Sequence, residues 1–168
     1  MQHFRMNALT TVQAVEERLW RVTARSEDDL FAAEVRLEIK LPSLEIRSAV
    51  LDITRDELGM APDLTAAQES LIGVRVGPGM TKIVRAVVGG ENGSDRMAEL
   101  VLEAMEMLIN ALTVPELRKA TETDGETVDY EKEGPKIRLN DPVIGEAQVR
   151  VMAENPRLKD SCAAFRDL

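Results

Sequence analysis

The sequence predicts an α+β fold: a three-stranded antiparallel sheet covered by helices on one face, then a polar excursion and a helical C-terminal tail. Three observations carry this expectation. Apolar and polar residues alternate from about Trp20 to Ile53, the apolar spacing turns helical from Leu64 to Leu112, and the two signals form separate blocks. Strands in one run and helices in the next indicate segregated layers rather than interleaved βαβ units.

The clearest strand runs from Phe31 to Leu41. Phe31, Ala33, Val35, Leu37, Ile39 and Leu41 alternate with Ala32, Glu34, Arg36, Glu38 and Lys40, which gives one buried and one solvated face. Before it, Trp20, Val22 and Ala24 alternate with Arg21, Thr23 and Arg25, and Ser26-Glu27-Asp28-Asp29 supplies a polar turn, so the two form a hairpin. After it, Leu44, Ile46 and Val50 continue the pattern. Tight pairing about Pro42-Ser43 would set Lys40 opposite Glu45 and Glu38 opposite Arg47. Proline cannot supply the positive φ of the favoured two-residue hairpin turns, so a type I turn or a longer loop is expected there. The apolar phase then shifts to Ala49, Leu51 and Ile53, which implies either a bulge or burial of both faces.

Helices follow. Asp63 is positioned to cap a first helix carrying Leu64, Ala67, Leu71 and Ile72, which Gly73 ends. Gly77-Pro78-Gly79 opens a second, with Met80, Ile83, Val84, Val87 and Val88 on one face and Gly89-Gly90 at its close. Ser94 suits the N-cap of a third, whose apolar stripe is Met97, Leu100, Val101, Ala104, Leu108, Ile109 and Leu112. The chain thus divides into a core domain over 14–120, a polar linker or excursion over 121–141 and a helical tail over 142–168, the tail opened by Pro142 and continued by Asn155-Pro156.

Composition excludes several function classes. Thirty acidic against 21 basic residues give a formal charge of -9, whose field repels phosphate backbones and anionic bilayers, and the few aromatics (Phe4, Trp20, Phe31, Tyr130, Phe165) offer little for stacking bases. Neither nucleic acid nor membrane is therefore expected as a partner. No apolar stretch reaches spanning length and the start MQHFRMN lacks a signal-peptide core, which gives a cytoplasmic expectation. The single Cys162 and single His3 cannot assemble a Cys/His metal cluster within one chain, so no cofactor is expected.

Few residues suggest chemistry. Gly77, Gly79 and Lys82 read first as a structural helix start; their functional alternative is anion binding by free N–H groups and the lysine, although the glycine spacing matches neither a P-loop nor a dinucleotide fingerprint. Glu99, Glu103 and Glu106 stand opposite the apolar stripe, where solvated charges belong. No serine has a nucleophile-elbow setting, and Cys162 reads first as a small apolar residue.

Several segments resemble the bacterial domain-of-unknown-function family twenty-eight eighty-nine: Leu71 to Gly79 (LIGVRVGPG) with the helix after it, Ser26 to Leu37, Leu44 to Thr54, Gly93 to Leu100, and Leu158 to Ala164. In the family the segment at Gly93 usually reads Gly-Cys-x-His-Leu-x-Glu-Leu and the last one contains Cys-His-Ala. Here Ser94 stands for the cysteine, Arg96 for the histidine and Ala163 for the later histidine, while Cys162 is kept. The resemblance therefore implies a candidate site of Ser94, Arg96 and Cys162, stripped of metal ligands. In element order alone, the chain is also similar to the NifU/SufE-type iron–sulfur scaffold fold.

The leading functional expectation is a non-enzymatic binding or assembly module for a partner protein or small ligand, and homo-oligomers are compatible with it. Two alternatives stand beside it: a degenerate sulfur or metal scaffold that has lost its ligands, and an enzyme working through carboxylates and arginines. The lack of a catalytic cluster weighs against the enzyme.

Overall fold

The structure, a computed structural model, describes residues 3–121 and the single positions 149, 153 and 156. It divides into two compact units, Met1–Leu108 and Ile109–Leu168. The polar excursion and nearly all of the tail lie outside the described residues.

The α+β class holds, but the sheet has four strands rather than three. They run β1 (Met6–Glu16), β2 (Leu19–Asp28), β3 (Phe31–Lys40) and β4 (Glu45–Asp56), in the order β1-β2-β3-β4 with every neighbouring pair antiparallel. β1 escapes a periodicity reading for a physical reason. Its two faces, Ala8, Thr10, Val12, Ala14 and Leu9, Thr11, Gln13, Val15, are equally uncharged, so no alternation marks it.

In β2, β3 and β4 the alternation does its expected work. Val22 pairs with Leu37 and Leu37 with Ala49; Ala24 pairs with Val35 and Val35 with Leu51. All six are buried, as are Phe31, Ile39 and Ile46. The opposite face carries charge: Arg21 pairs with Glu38 at 2.7 Å, Arg25 and Arg36 both hold Glu34, and Arg55 reaches Glu27 at 3.3 Å. Such exposed pairs favour the register more than the stability.

The phase shift in β4 is a bulge. Glu38 faces Ser48 and Ile39 faces Ile46, which leaves Arg47 as the extra residue. Lys40 does face Glu45, whereas Glu38 meets Ser48 and takes its cation from Arg21. The hairpin loop has four residues, Leu41 to Leu44, with Leu44 in the left-handed region (φ 55) and its side chain fully buried. A second irregularity leaves Thr54 unpaired, and it turns the end of β4 so that Asp56 stands opposite Phe31.

Three helices cover the inner face: α1 (Thr65–Leu71), α2 (Met80–Val87) and α3 (Asp95–Thr121). Asp63 caps α1 from one residue before the N-cap position, accepting from the Thr65 N–H at 2.9 Å, and Gly73 leaves it at φ 85. Between α1 and α2 the chain runs along β4: Ile46 donates to Val74, Gly73 to Ile46 and Val76 to Leu44, each at 2.8 Å. The LIGVRVGPG segment thus closes the sheet edge that Leu44–Ile46 would otherwise expose. From Met97 to Leu108, α3 buries Met97, Leu100, Val101, Ala104, Met105 and Leu108, while Glu103 accepts from the Thr10 hydroxyl of β1 at 2.6 Å. In the second unit α3 continues to Thr121, and Thr113 donates its hydroxyl to the Ile109 carbonyl at 3.0 Å.

Candidate functional site

The site grows from the turn between β2 and β3. Asp28 accepts the backbone N–H groups of Leu30 at 2.8 Å and Phe31 at 2.9 Å on one oxygen, which closes a two-residue turn. Its other oxygen accepts from Arg96 in the first turn of α3. Only 6% of Asp28 is exposed. The Leu30 N–H holds its carboxyl below the ordinary carboxylate range; burial opposes this, and Arg96 and the Phe31 N–H add to it. Asp28 is a structural anion, kept ionised to fasten the turn to α3.

Arg96 has a second partner. Its guanidinium carbon lies 4.1 Å from the centroid of the Phe31 ring, a cation–π stack that holds the side chain over the end of the sheet. Arg55 clasps the same turn from β4 by donating to the Asp28 carbonyl.

Ser94 is the N-cap of α3, its hydroxyl accepting from the Met97 N–H at 3.2 Å. The approach to it is tight, because a Cβ on Gly93 would lie 2.2 Å from the Val88 carbonyl oxygen and 2.4 Å from that of Gly89. Only glycine fits there, and its fit lets Ser94 donate to Val88 at 2.8 Å.

A loop completes the enclosure. Asp56 accepts from the Leu58 N–H at 3.1 Å with one oxygen and from the Met60 N–H with the other, coiling residues 57–60 back over the strand end. Between this loop, the β2–β3 turn and the start of α3 lies a cavity of about 230 Å3. Leu30, Phe31, Ile53, Leu58, Met60 and Pro62 supply its apolar walls; Ser94, Arg96 and Asp56 supply its polar groups. Leu58 and Met60 stand 64% and 77% exposed at its mouth.

Donors and acceptors are unequally engaged. Both oxygens of Asp28 and both of Asp56 already receive hydrogen bonds, whereas Arg96 commits one nitrogen to Asp28 and the Ser94 hydroxyl donates to no acceptor among the described residues.

Of the residues singled out from sequence, Ser94 and Arg96 lie together on this cavity; Cys162 lies outside the described residues. Gly77, Gly79 and Lys82 lie apart from it, at the start of α2. There Gly79 is the N-cap at φ 84, the Gly77 carbonyl accepts from the Met80 N–H at 3.2 Å, and Lys82 is exposed, an arrangement that helix entry alone requires. Asp28, Phe31 and Asp56 also belong to the site and carry no motif that marks them. Asp28 sat in a turn read only as polar, and Phe31 in a strand read only as core. Exposed Leu58 and Met60 beside Gly59 and Pro62 were the available signal.

Among the described residues, no three or more His, Cys, Asp and Glu gather as a metal site, and no helix is long and apolar enough to cross a membrane. Comparison with protein-family models, with curated proteins and with solved structures gives no match to this chain.

Proposed function

We propose that the protein is a binding module for a small ligand with an apolar body and a hydrogen-bond-accepting end, such as a short-chain carboxylate, held in the cavity at the start of α3. The observation that carries this reading is the imbalance within the cavity: apolar walls, carboxylates engaged by backbone N–H groups, and donors with free capacity on Arg96 and Ser94. At about 230 Å3 the space lies below the roughly 300–1,000 Å3 of sites for drug-sized molecules, so the ligand is smaller than those. Binding is favoured over catalysis because the carboxylates of Asp28 and Asp56 serve structural roles, holding the β2–β3 turn and the 57–60 loop through backbone N–H groups.

Ala61 lines the cavity and is itself exposed, so Ala61→Trp fills the space without disturbing the core. Small molecules extracted from the purified full chain and identified by mass spectrometry should include a stoichiometric acid that is absent from Ala61→Trp. If both proteins carry the same compounds, or if saturating short-chain carboxylates leave the unfolding temperatures of both unchanged, the reading fails.

A further inference from the structure

The two edges of the sheet are treated differently. On β4, Gly73–Val76 pairs with Leu44–Ile46, the Gln68 side chain accepts from the Leu51 N–H at 3.1 Å, and bulges at Arg47 and Thr54 break the remainder. These are the devices by which sheets avoid accepting another strand. β1 has none of them over Met6–Ala14. That stretch pairs regularly with β2, contains no proline and no charged residue, and reaches its first irregularity only at Val15. Among the described residues nothing pairs with its outer edge. Nor is either face of β1 buried: no residue of the strand is, and Met6 and Leu9 are 64% and 61% exposed.

We infer that β1 is a homodimerisation edge, on which a second copy of this chain adds its own β1 antiparallel to form one continuous eight-stranded sheet. The occupant follows from charge. Each chain carries -9, and the open face of β2–β4 is laced with arginine–glutamate pairs, yet any antiparallel register within Met6–Ala14 sets only uncharged residues opposite one another. A two-fold axis makes the patch its own complement. Nine residues at roughly 3.4 Å each give an edge of about 30 Å, long enough for a full ladder of backbone hydrogen bonds, and the pairing would bring Leu9 and Met6 against the partner. This inference is independent of the cavity at the start of α3.

Thr11 points to the open face and is exposed, so Thr11→Lys changes the edge without touching the core. Light scattering of the full chain across the micromolar range should give twice 18.6 kDa. Thr11→Lys should raise the dimer dissociation constant by about 100-fold or more, because it sets a charged, strongly hydrated side chain on the pairing edge of each copy, with circular dichroism and the monomer's unfolding midpoint unchanged. Added salt should tighten the wild-type dimer, because it screens the repulsion of two -9 chains. Amide exchange in β1 should slow as concentration rises. A mass of 18.6 kDa at every concentration overturns the inference, as does a dimer indifferent to Thr11→Lys. So does protection of β1 in a monomer, which would mean that other residues of the same chain cover the edge.

Discussion

Replacing Gly93 by alanine is the sharpest test of how the start of α3 is positioned. The new Cβ would lie 2.2 Å from the Val88 carbonyl oxygen, 2.4 Å from that of Gly89 and 2.8 Å from the Val88 carbonyl carbon. All three are backbone atoms, so no rotamer change relieves the clash, and the α2–α3 turn must move by about an ångström to restore van der Waals contact. Overpacking of this kind costs about 1–3 kcal/mol. Loss of the 2.8 Å bond from Ser94 to Val88 adds about 1 kcal/mol. The expected total is about 2–4 kcal/mol, or a fall in Tm of about 8–16 °C at about 4 °C per kcal/mol for a chain of this size. Gly59→Ala is the control: its φ of +64 is unfavourable for alanine, but nothing lies within 4 Å of the added Cβ. That change should cost only about 1 kcal/mol. Urea unfolding of both variants, read by circular dichroism, measures the difference. A Gly93→Ala protein within about 0.5 kcal/mol of wild type, or no less stable than Gly59→Ala, would refute the close approach that sets Ser94 and Arg96 on the cavity.

Leu37 is fully buried between Val22 and Ala49 at the centre of the sheet, so Leu37→Ala should destabilise by about 3–4 kcal/mol in the same assay. The carboxyls of Asp28 and Asp63 sit below their ordinary value of 3.8 in the folded chain, Asp28 chiefly through the Leu30 N–H and Asp63 through the Thr65 hydroxyl and N–H. Because these folded values are depressed, the stability they contribute is fully present above the unfolded value and is lost as pH falls through the folded one. Unfolding free energy should therefore be flat from neutral pH down to about pH 5 and decline below about pH 4, and Asp28→Asn should make that decline shallower; an equally steep decline in the variant would contradict the role given to Asp28.

Much of the sheet was legible because β2, β3 and β4 obey a rule with one variable, alternation, and the third helix because Ser94 and the Met97–Leu108 stripe agree with each other. What stayed hidden was set by tertiary context. β1 has no polar face to contrast with an apolar one, so its pairing with β2 is visible only in space. The bulge at Arg47 left a trace, the phase shift after Ile46, but two explanations fitted that trace equally. At the site, Ser94 and Arg96 were picked out by resemblance, whereas Asp28 and Phe31, the partners that fix Arg96, lie over sixty residues earlier in the chain. Nothing local links the two segments. Asp56 is similar: its value lies in two backbone N–H groups within the next four residues, a turn geometry that a glycine at position 59 permits but does not announce.

In the proposed function, the cavity beneath Leu58 and Met60 receives a small acid through Arg96. Two-dimensional amide NMR of the full chain, titrated with hexanoate and in parallel with hexanol, tests it directly. Saturable shifts should cluster at Leu30, Phe31, Leu58, Met60 and Ser94–Met97, with hexanoate binding at least about tenfold tighter than hexanol in wild type and that preference gone in Arg96→Gln. Saturable shifts at those residues with equal affinity for both probes would contradict the part given to Arg96, and the absence of any saturable shift there would contradict the site itself.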